Sequence, residues 1–248
     1  MQSPSSASHL FIVTGSSRGM GAAMAQQLLQ AGHTVLGIAR AANPQLTGAE
    51  QWQADLAQPL DVAARLEAWL AAMPADRFAS ASLINNAALL STPGPLEGDA
   101  PEALSAALRV GLEAPLLLSA AFLRSTRGWT GQRKLLHISS GLGRRPMAGS
   151  ASYCAVKAGL DHFSRALALD EALLPNGART VSLAPGVIDT DMQRQLRGGD
   201  PARFPEQARF ANLAATGALD SPEAAAAKVL AFLARPDFGS APVADVRE

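Results

Sequence analysis

A short apolar run, Leu10–Thr14, passes directly into the turn Thr14-Gly15-Ser16-Ser17-Arg18-Gly19-Met20-Gly21, and an amphipathic stretch continues to about Ala31. Strand, glycine-rich turn and helix in immediate succession leave few folds open. Gly32 stands where a helix-ending glycine belongs. The alternation then repeats along the chain. Further strands are expected at Thr34–Ala39, Gln51–Ala54, Ser82–Ile84, Lys134–Ser139, Thr180–Leu183 and Val243–Val246. Helices are expected at Asp61–Ala72, from about Pro101 to Arg124 with a kink at Pro115, at Ser150–Leu174, and at Ser221–Ala234 with Pro222 in first position. Strands alternating with helices are joined by right-handed crossovers and lie parallel. The pattern therefore predicts one α/β domain, a doubly wound parallel sheet with helices on both faces. Such sheets hold ligands beyond the carboxyl ends of their strands. The domain is expected to run from 10 to 248, with Met1–His9 as a disordered tail.

Bulk properties narrow the function classes. The 248 residues carry 21 basic and 21 acidic side chains, so the chain lacks the positive surface that displaces counterions from nucleic acid. A single cysteine, Cys154, cannot close an internal disulfide, which suits a reducing compartment. The first residues lack the basic start and apolar core of a signal peptide, and no run is read as approaching the ~18 apolar residues of a membrane span. The expectation is a cytoplasmic protein with neither a nucleic-acid nor a membrane partner. His9, His33, His137 and His162 are not spaced as metal ligands, so no metal is expected.

The glycine turn has the spacing G-x-x-x-G-x-G rather than G-x-G-x-x-G. Its physics is shared. Gly15, Gly19 and Gly21 let the backbone turn and approach a pyrophosphate, and the helix that follows offers free N–H groups and the positive end of its dipole. Ser17, Arg18 and Met20 would lie against the same ligand. A glycine turn with no ligand is the plain alternative, and placement between first strand and first helix favours the cradle. The second strand ends Gly37-Ile38-Ala39-Arg40, and no acid follows until Glu50. An NAD site wants a carboxylate there for the ribose 2′-hydroxyl. Arg18 and Arg40 instead suit a 2′-phosphate, which predicts NADP (NADPH), unless both simply face solvent. Asp55 either holds the adenine edge or shapes a turn.

The chemistry-bearing residues are Ser140, Tyr153 and Lys157. Tyr153 and Lys157, four apart in a predicted helix, share one face a turn apart. Reducing a carbonyl by hydride requires a proton donor for the developing alkoxide. A free tyrosine has a pKa near ~10, and moving it to about 7 takes roughly 4 kcal/mol. A positive charge ~4 Å away supplies about that much at an effective dielectric near 20, so Lys157, helped by an oxidised nicotinamide ring, can lower the phenol's pKa. Ser140 would hold the substrate oxygen, and Lys157 would also bind the nicotinamide ribose.

At these motifs the chain resembles the short-chain dehydrogenase/reductase family. The resemblance runs from Thr14 to Val246 and rests on Thr14–Gly21, Asn85-Asn86-Ala87-Ala88, Ser140, Tyr153/Lys157 and Pro185-Gly186. It implies a Rossmann-type seven-stranded sheet in the order 3-2-1-4-5-6-7, assembled as a homodimer or homotetramer through two long helices. It also implies that Asn86 and Ala87 line the cofactor pocket, and that Pro185, Gly186, Val187, Ile188 and Thr190 flank the nicotinamide. Asp189 to about Thr216 would be a mobile substrate lid hinged at Gly198-Gly199. Within the family the chain is similar to the sepiapterin reductase and benzil reductase branch, through Tyr153-Cys154-Ala155-Val156-Lys157-Ala158, Asp161, Leu167-Ala168-Leu169-Asp170-Glu171 and the ending Phe238-Gly239-Ser240 to Asp245-Val246. That likeness implies NADPH-dependent reduction of a small-molecule ketone or 1,2-dicarbonyl. Leu142, Met147 and Met192, with Val187 and Leu196, would line an apolar substrate pocket, and Asp245 matches a pterin-anchoring carboxylate. Arg144 and Arg145 either greet an anionic substrate or face solvent. Two residues depart from the family pattern. Gly111 stands where many members carry an asparagine, and a water is expected to fill the space; Ala88 replaces a glycine. An NAD-dependent alcohol dehydrogenase and a non-catalytic NADP-binding regulator are the competing readings.

Overall fold

The computed structural model describes residues 8–248. Most of the expected N-terminal tail lies outside the described residues. Its last residues do not: the Ser8 carbonyl accepts from Ala79 N, and His9 opens the first strand. Seven strands form the sheet: β1 His9–Thr14, β2 Thr34–Ala39, β3 Glu50–Gln53, β4 Ser80–Asn85, β5 Gln132–Ile138, β6 Arg179–Ala184 and β7 Val243–Asp245. All pairings are parallel, in the order β3-β2-β1-β4-β5-β6-β7. The register places Ile12 beside both Leu36 and Leu83 on one face and Val13 beside Ile84 on the other, so the central strands are apolar on both faces, as burial between two helical layers demands.

Alternate side chains of β1 serve opposite faces. Leu10 and Ile12 pack with α2 (Pro59–Ala71) and α4 (Ala114–Thr126), whereas Val13 packs with α1 (Gly19–Gln30) and α8 (Pro222–Ala234). Helix α2 buries Val62, Leu66 and Leu70, a repeat of four that keeps one stripe on the sheet. It begins at Pro59, two residues before its expected start, because proline suits the first turn. Helix α8 is capped by Ser221, whose Oγ accepts from Ala224 N at 3.1 Å.

The single kinked helix expected from Pro101 is resolved differently. Helix α3 (Pro101–Leu108) runs into a π-helical turn, Arg109–Glu113, and then into α4. The irregularity thus precedes Pro115 instead of sitting on it. Pro115 has no N–H to give the Gly111 carbonyl, and its ring would crowd that carbonyl in a regular helix; the wider turn relieves both. This helical run, Pro101–Thr126, is long and apolar enough to cross a membrane by length and composition, which corrects the sequence expectation. Just over half of its most apolar window is buried inside the fold. The long α5 (Ala151–Ala172) packs beside it against β6. The segment expected to be a lid contains two short helices that the sequence reading did not resolve, α6 (Asp191–Arg197) and α7 (Gln207–Ala215). Between them Phe204 is fully buried, its ring against Gly149 and Gly199.

Candidate active site

The chain reverses direction across the sheet between β1 and β4, and a cavity of about 720 Å³ opens beyond the carboxyl ends of these strands. Its cradle begins at Gly15, where φ is +70° and the amide donates to Ile38 O at 2.8 Å. A Cβ on Gly21 would collide with the Gly15 carbonyl oxygen, so α1 can start this close only without a side chain there. Arg18 occupies the N-cap without a side-chain cap bond, and Gly19, Met20 and Gly21 line the cavity. The Thr14 hydroxyl accepts from Asn86 N (2.9 Å) and Ala87 N (3.0 Å), and Asn86 Nδ2 donates to Thr14 O. The end of β4 is thereby locked to the glycine turn.

Most residues assigned to the site from sequence border this one cavity, Asp245 and Arg144 excepted: Ser17, Arg40 and Asp55 with the glycine turn, Pro185–Ile188 and Thr190 opposite, and Leu142, Met147 and Met192 beside Ser140, Tyr153 and Lys157. Finer details differ from expectation. Arg18 is paired with Asp191 at 2.8 Å, across the cavity mouth to the start of α6. Asp55 Oδ1 accepts from Ala57 N at 3.0 Å, the behaviour of a turn residue. Asp245 is buried and held by Arg247 at 2.7 and 2.6 Å, so its carboxylate is already satisfied. Arg144 points inward to Asp161 and to Ala244 O, leaving Arg145 as the arginine of that pair on the cavity wall.

Ser140 follows β5 and caps the short turn Gly141–Gly143, its Oγ accepting from Leu142 N at 3.2 Å. Lys157 is buried, donates from Nζ to Ile138 O at 2.7 Å, and stands 5.4 Å from the Tyr153 ring centre. Burial pushes Tyr153 up to about 12, outweighing the Ser140 hydroxyl beside it, which pulls the other way. Burial lowers Lys157 to about 8, against the pull of the Asp161 carboxylate. His137, hydrogen-bonded to Asn85 at 3.1 Å, is fully buried and held down to about 3 by burial and by Lys157, so it is a neutral core residue.

The expectation of water in the place of a side chain at Gly111 is also corrected. A Cβ there would lie 2.5 Å from Val156 Cγ1, on the residue next to Lys157. Gly111 is a contact point between the π turn and α5. Sequence reading passed over several wall residues, among them Leu89, Leu90, Gln193, Arg209, Phe210 and Arg247. They come from loops, from α6 and α7 and from the C-terminal segment, where no spacing signals a shared site. Thr14 carried a signal, standing directly before the glycines.

A parallel sheet in this order, with a glycine-floored cavity at its switch point, is the architecture of dinucleotide-binding α/β proteins. The chain belongs to the short chain dehydrogenase family, whose model matches residues 9–200, and it is an oxidoreductase of that family. It is 33% identical over 245 residues to a benzil reductase ((S)-benzoin forming) from Bacillus cereus, covering 96% of this chain and 98% of the relative. A benzil reductase ((S)-benzoin forming) from Bacillus subtilis is 34% identical, over 90% of this chain and 93% of its own. The crystal structure of a short-chain dehydrogenase/reductase from Burkholderia vietnamiensis is similar at 33% identity and a TM-score of 0.62, over 97% of both chains.

Proposed function

We propose that the protein reduces a ketone or 1,2-dicarbonyl to the alcohol with NADPH, Tyr153 giving the proton. The convergence of Ser140, Tyr153 and Lys157 on one wall of the cavity that the glycine turn floors carries this reading. The cradle fits a dinucleotide: its glycines exclude side chains, and the first turn of α1 is uncapped. A nicotinamide bound there supplies the hydride. Ser140 Oγ orients the substrate oxygen, and Tyr153 Oη transfers its proton to that oxygen. A phenol with its pKa raised to about 12 holds this proton throughout the neutral range, as a donor must. The Lys157 ammonium then stabilises the phenolate left behind. Leu90, Leu142, Met147, Met192 and Phe210 exclude water and suit an apolar substrate. Benzil, the diketone in the names of the two Bacillus relatives, is of this kind.

Arg18 and Arg40 support the choice of NADPH, through charge-assisted bonds to a 2′-phosphate. The segment from Asp189 to about Thr216 serves as the lid. Exposed Leu108 and Leu116 of the α3–α4 run, Leu169 of α5 and Leu173 directly after it support assembly into a homodimer or homotetramer through these helices. Oxidation of NADPH and of NADH is followed with benzil and a panel of diketones. Tyr153→Phe is expected to lower turnover at least ~100-fold, the scale of general acid catalysis, with nucleotide affinity nearly unchanged. Faster turnover with NADH refutes the role of the two arginines, and NADPH binding without reduction of any carbonyl makes the protein a nucleotide-binding regulator.

A further inference from the structure

We infer that Asp161 is a positioning residue for this reduction, its buried carboxylate clamping the loop that carries Ser140 to α5 and setting the electrostatic field behind Lys157. The inference rests on the Tyr153 reading above. Asp161 lies four residues beyond Lys157 and eight beyond Tyr153, so all three share a face of α5. It is 1% exposed. Its Oδ1 accepts from Ser139 Oγ at 2.5 Å and from Ser182 Oγ at 2.7 Å, and its Oδ2 from Arg144 Nε at 3.3 Å. Ser139 immediately precedes Ser140, Ser182 belongs to β6, and Arg144 follows the turn that Ser140 caps. Arg144 also donates to Ala244 O of β7 at 2.6 Å. One carboxylate thus joins the active-site helix to two strand ends and, through Arg144, to a third.

The loop is shaped for this contact. A Cβ on Gly143 would stand 2.8 Å from Asp161 Oδ2 and 2.9 Å from the Lys157 carbonyl oxygen, so only glycine lets the chain after Ser140 lie on this turn of α5. Two serine hydroxyls and one guanidinium that is 30% exposed do not neutralise a buried carboxylate in the way a fully buried ion pair does. Its field reaches Lys157, which it helps to keep charged against burial. The other groups facing the pair complete the electrostatics. Tyr153 faces Lys157 from α5, and His137, neutral, faces it from β5. Arg144 faces Asp161 from the loop, and Asp245 of β7 lies near Arg144 and is paired with Arg247.

A clamp without electrostatic consequence would tolerate an amide, which can exchange hydrogen bonds with both serines. The charge has a different signature. The test is the pH profile of kcat and of kcat/KM for benzil reduction at saturating NADPH. In Asp161→Asn the alkaline limb is expected to move down by about one unit or more, as when an opposite charge is withdrawn. The loss should fall on kcat, with the KM for NADPH changed less than about threefold, and Asp161→Glu should restore part of the limb. Arg144→Gln removes the competing cation and keeps the carboxylate, so its limb should move up. An alkaline limb unmoved in Asp161→Asn, with only a lower melting temperature, overturns the inference. Where that variant does not fold, a limb in Arg144→Gln that stays or moves down overturns it equally. A wild-type protein that reduces no carbonyl refutes the underlying function instead.

Discussion

Replacing Gly111 by alanine tests whether the π turn is pressed against the active-site helix. The new Cβ would sit 2.5 Å from Val156 Cγ1, about 1 Å inside an ordinary carbon–carbon contact. Val156 is buried, and as a β-branched residue within a helix it has essentially one χ1 well, so it cannot swing aside. Strain of this size in a packed interior belongs at the upper end of the ~1–3 kcal/mol range for over-packing. Alanine returns about 1 kcal/mol of helix propensity, which leaves a net loss of about 1–2 kcal/mol. For a chain of this size that corresponds to a melting point lower by about 2–8 °C in calorimetry. Val156→Ala by itself should cost about 2 kcal/mol, through lost burial and the space it leaves. The double variant should then be more stable than the sum of the singles by about 1–2 kcal/mol, because each change accommodates the other. A Gly111→Ala protein as stable as wild type, or a double variant that is simply additive, refutes the contact as the reason for this glycine.

Two further outcomes follow from the ion pairs. Asp191→Ala frees Arg18 from a pair whose side chains are 72% and 50% exposed, so NADPH affinity in a fluorescence titration should rise up to about fivefold and NADH affinity should stay level; equal gains for both would break the link to the 2′-phosphate. Glu171, 3% exposed, bonds Arg127 and Ala178 N and faces Arg133, whose side chain is wholly buried. Burial pushes the Glu171 carboxyl up, but the Arg127 hydrogen bond, the Ala178 amide and the two guanidinium charges together hold it below the usual range. Its contribution is therefore present above the unfolded pKa of about 4.3 and is lost as pH falls through the lower folded value. Urea midpoints should decline over that acid range in wild type and more shallowly in Glu171→Gln, which should also be about 3–5 kcal/mol less stable near pH 7 for stranding Arg133. Parallel pH curves for the two proteins would count against this role.

Much of the architecture is written in local pattern. Period-two and period-four apolar spacing is a short-range property, so the strands and the helices α1, α2, α5 and α8 could be placed to within a few residues. The π turn could not, because apolar spacing alone does not distinguish it from a helix bent at Pro115. Helices α6 and α7 are too short for apolar spacing to mark them, and Leu196 of α6 and Phe210 of α7 pack together with the buried Phe204 between them in sequence. The partners of Arg18 and Arg144 were hidden for a related reason, since each ion pair joins segments brought together only by folding, whereas Asp245 pairs with Arg247 two residues on.

The sequence by itself determined the strand–glycine–helix cradle and the helical Tyr153/Lys157 pair, because each depends on residues a few positions apart. Tertiary structure decided which charges meet, how deeply the phenol and ammonium are buried, and why position 111 must be bare. These depend on distances between distant segments and on the exclusion of water, which arise only when the two helical layers close on the sheet.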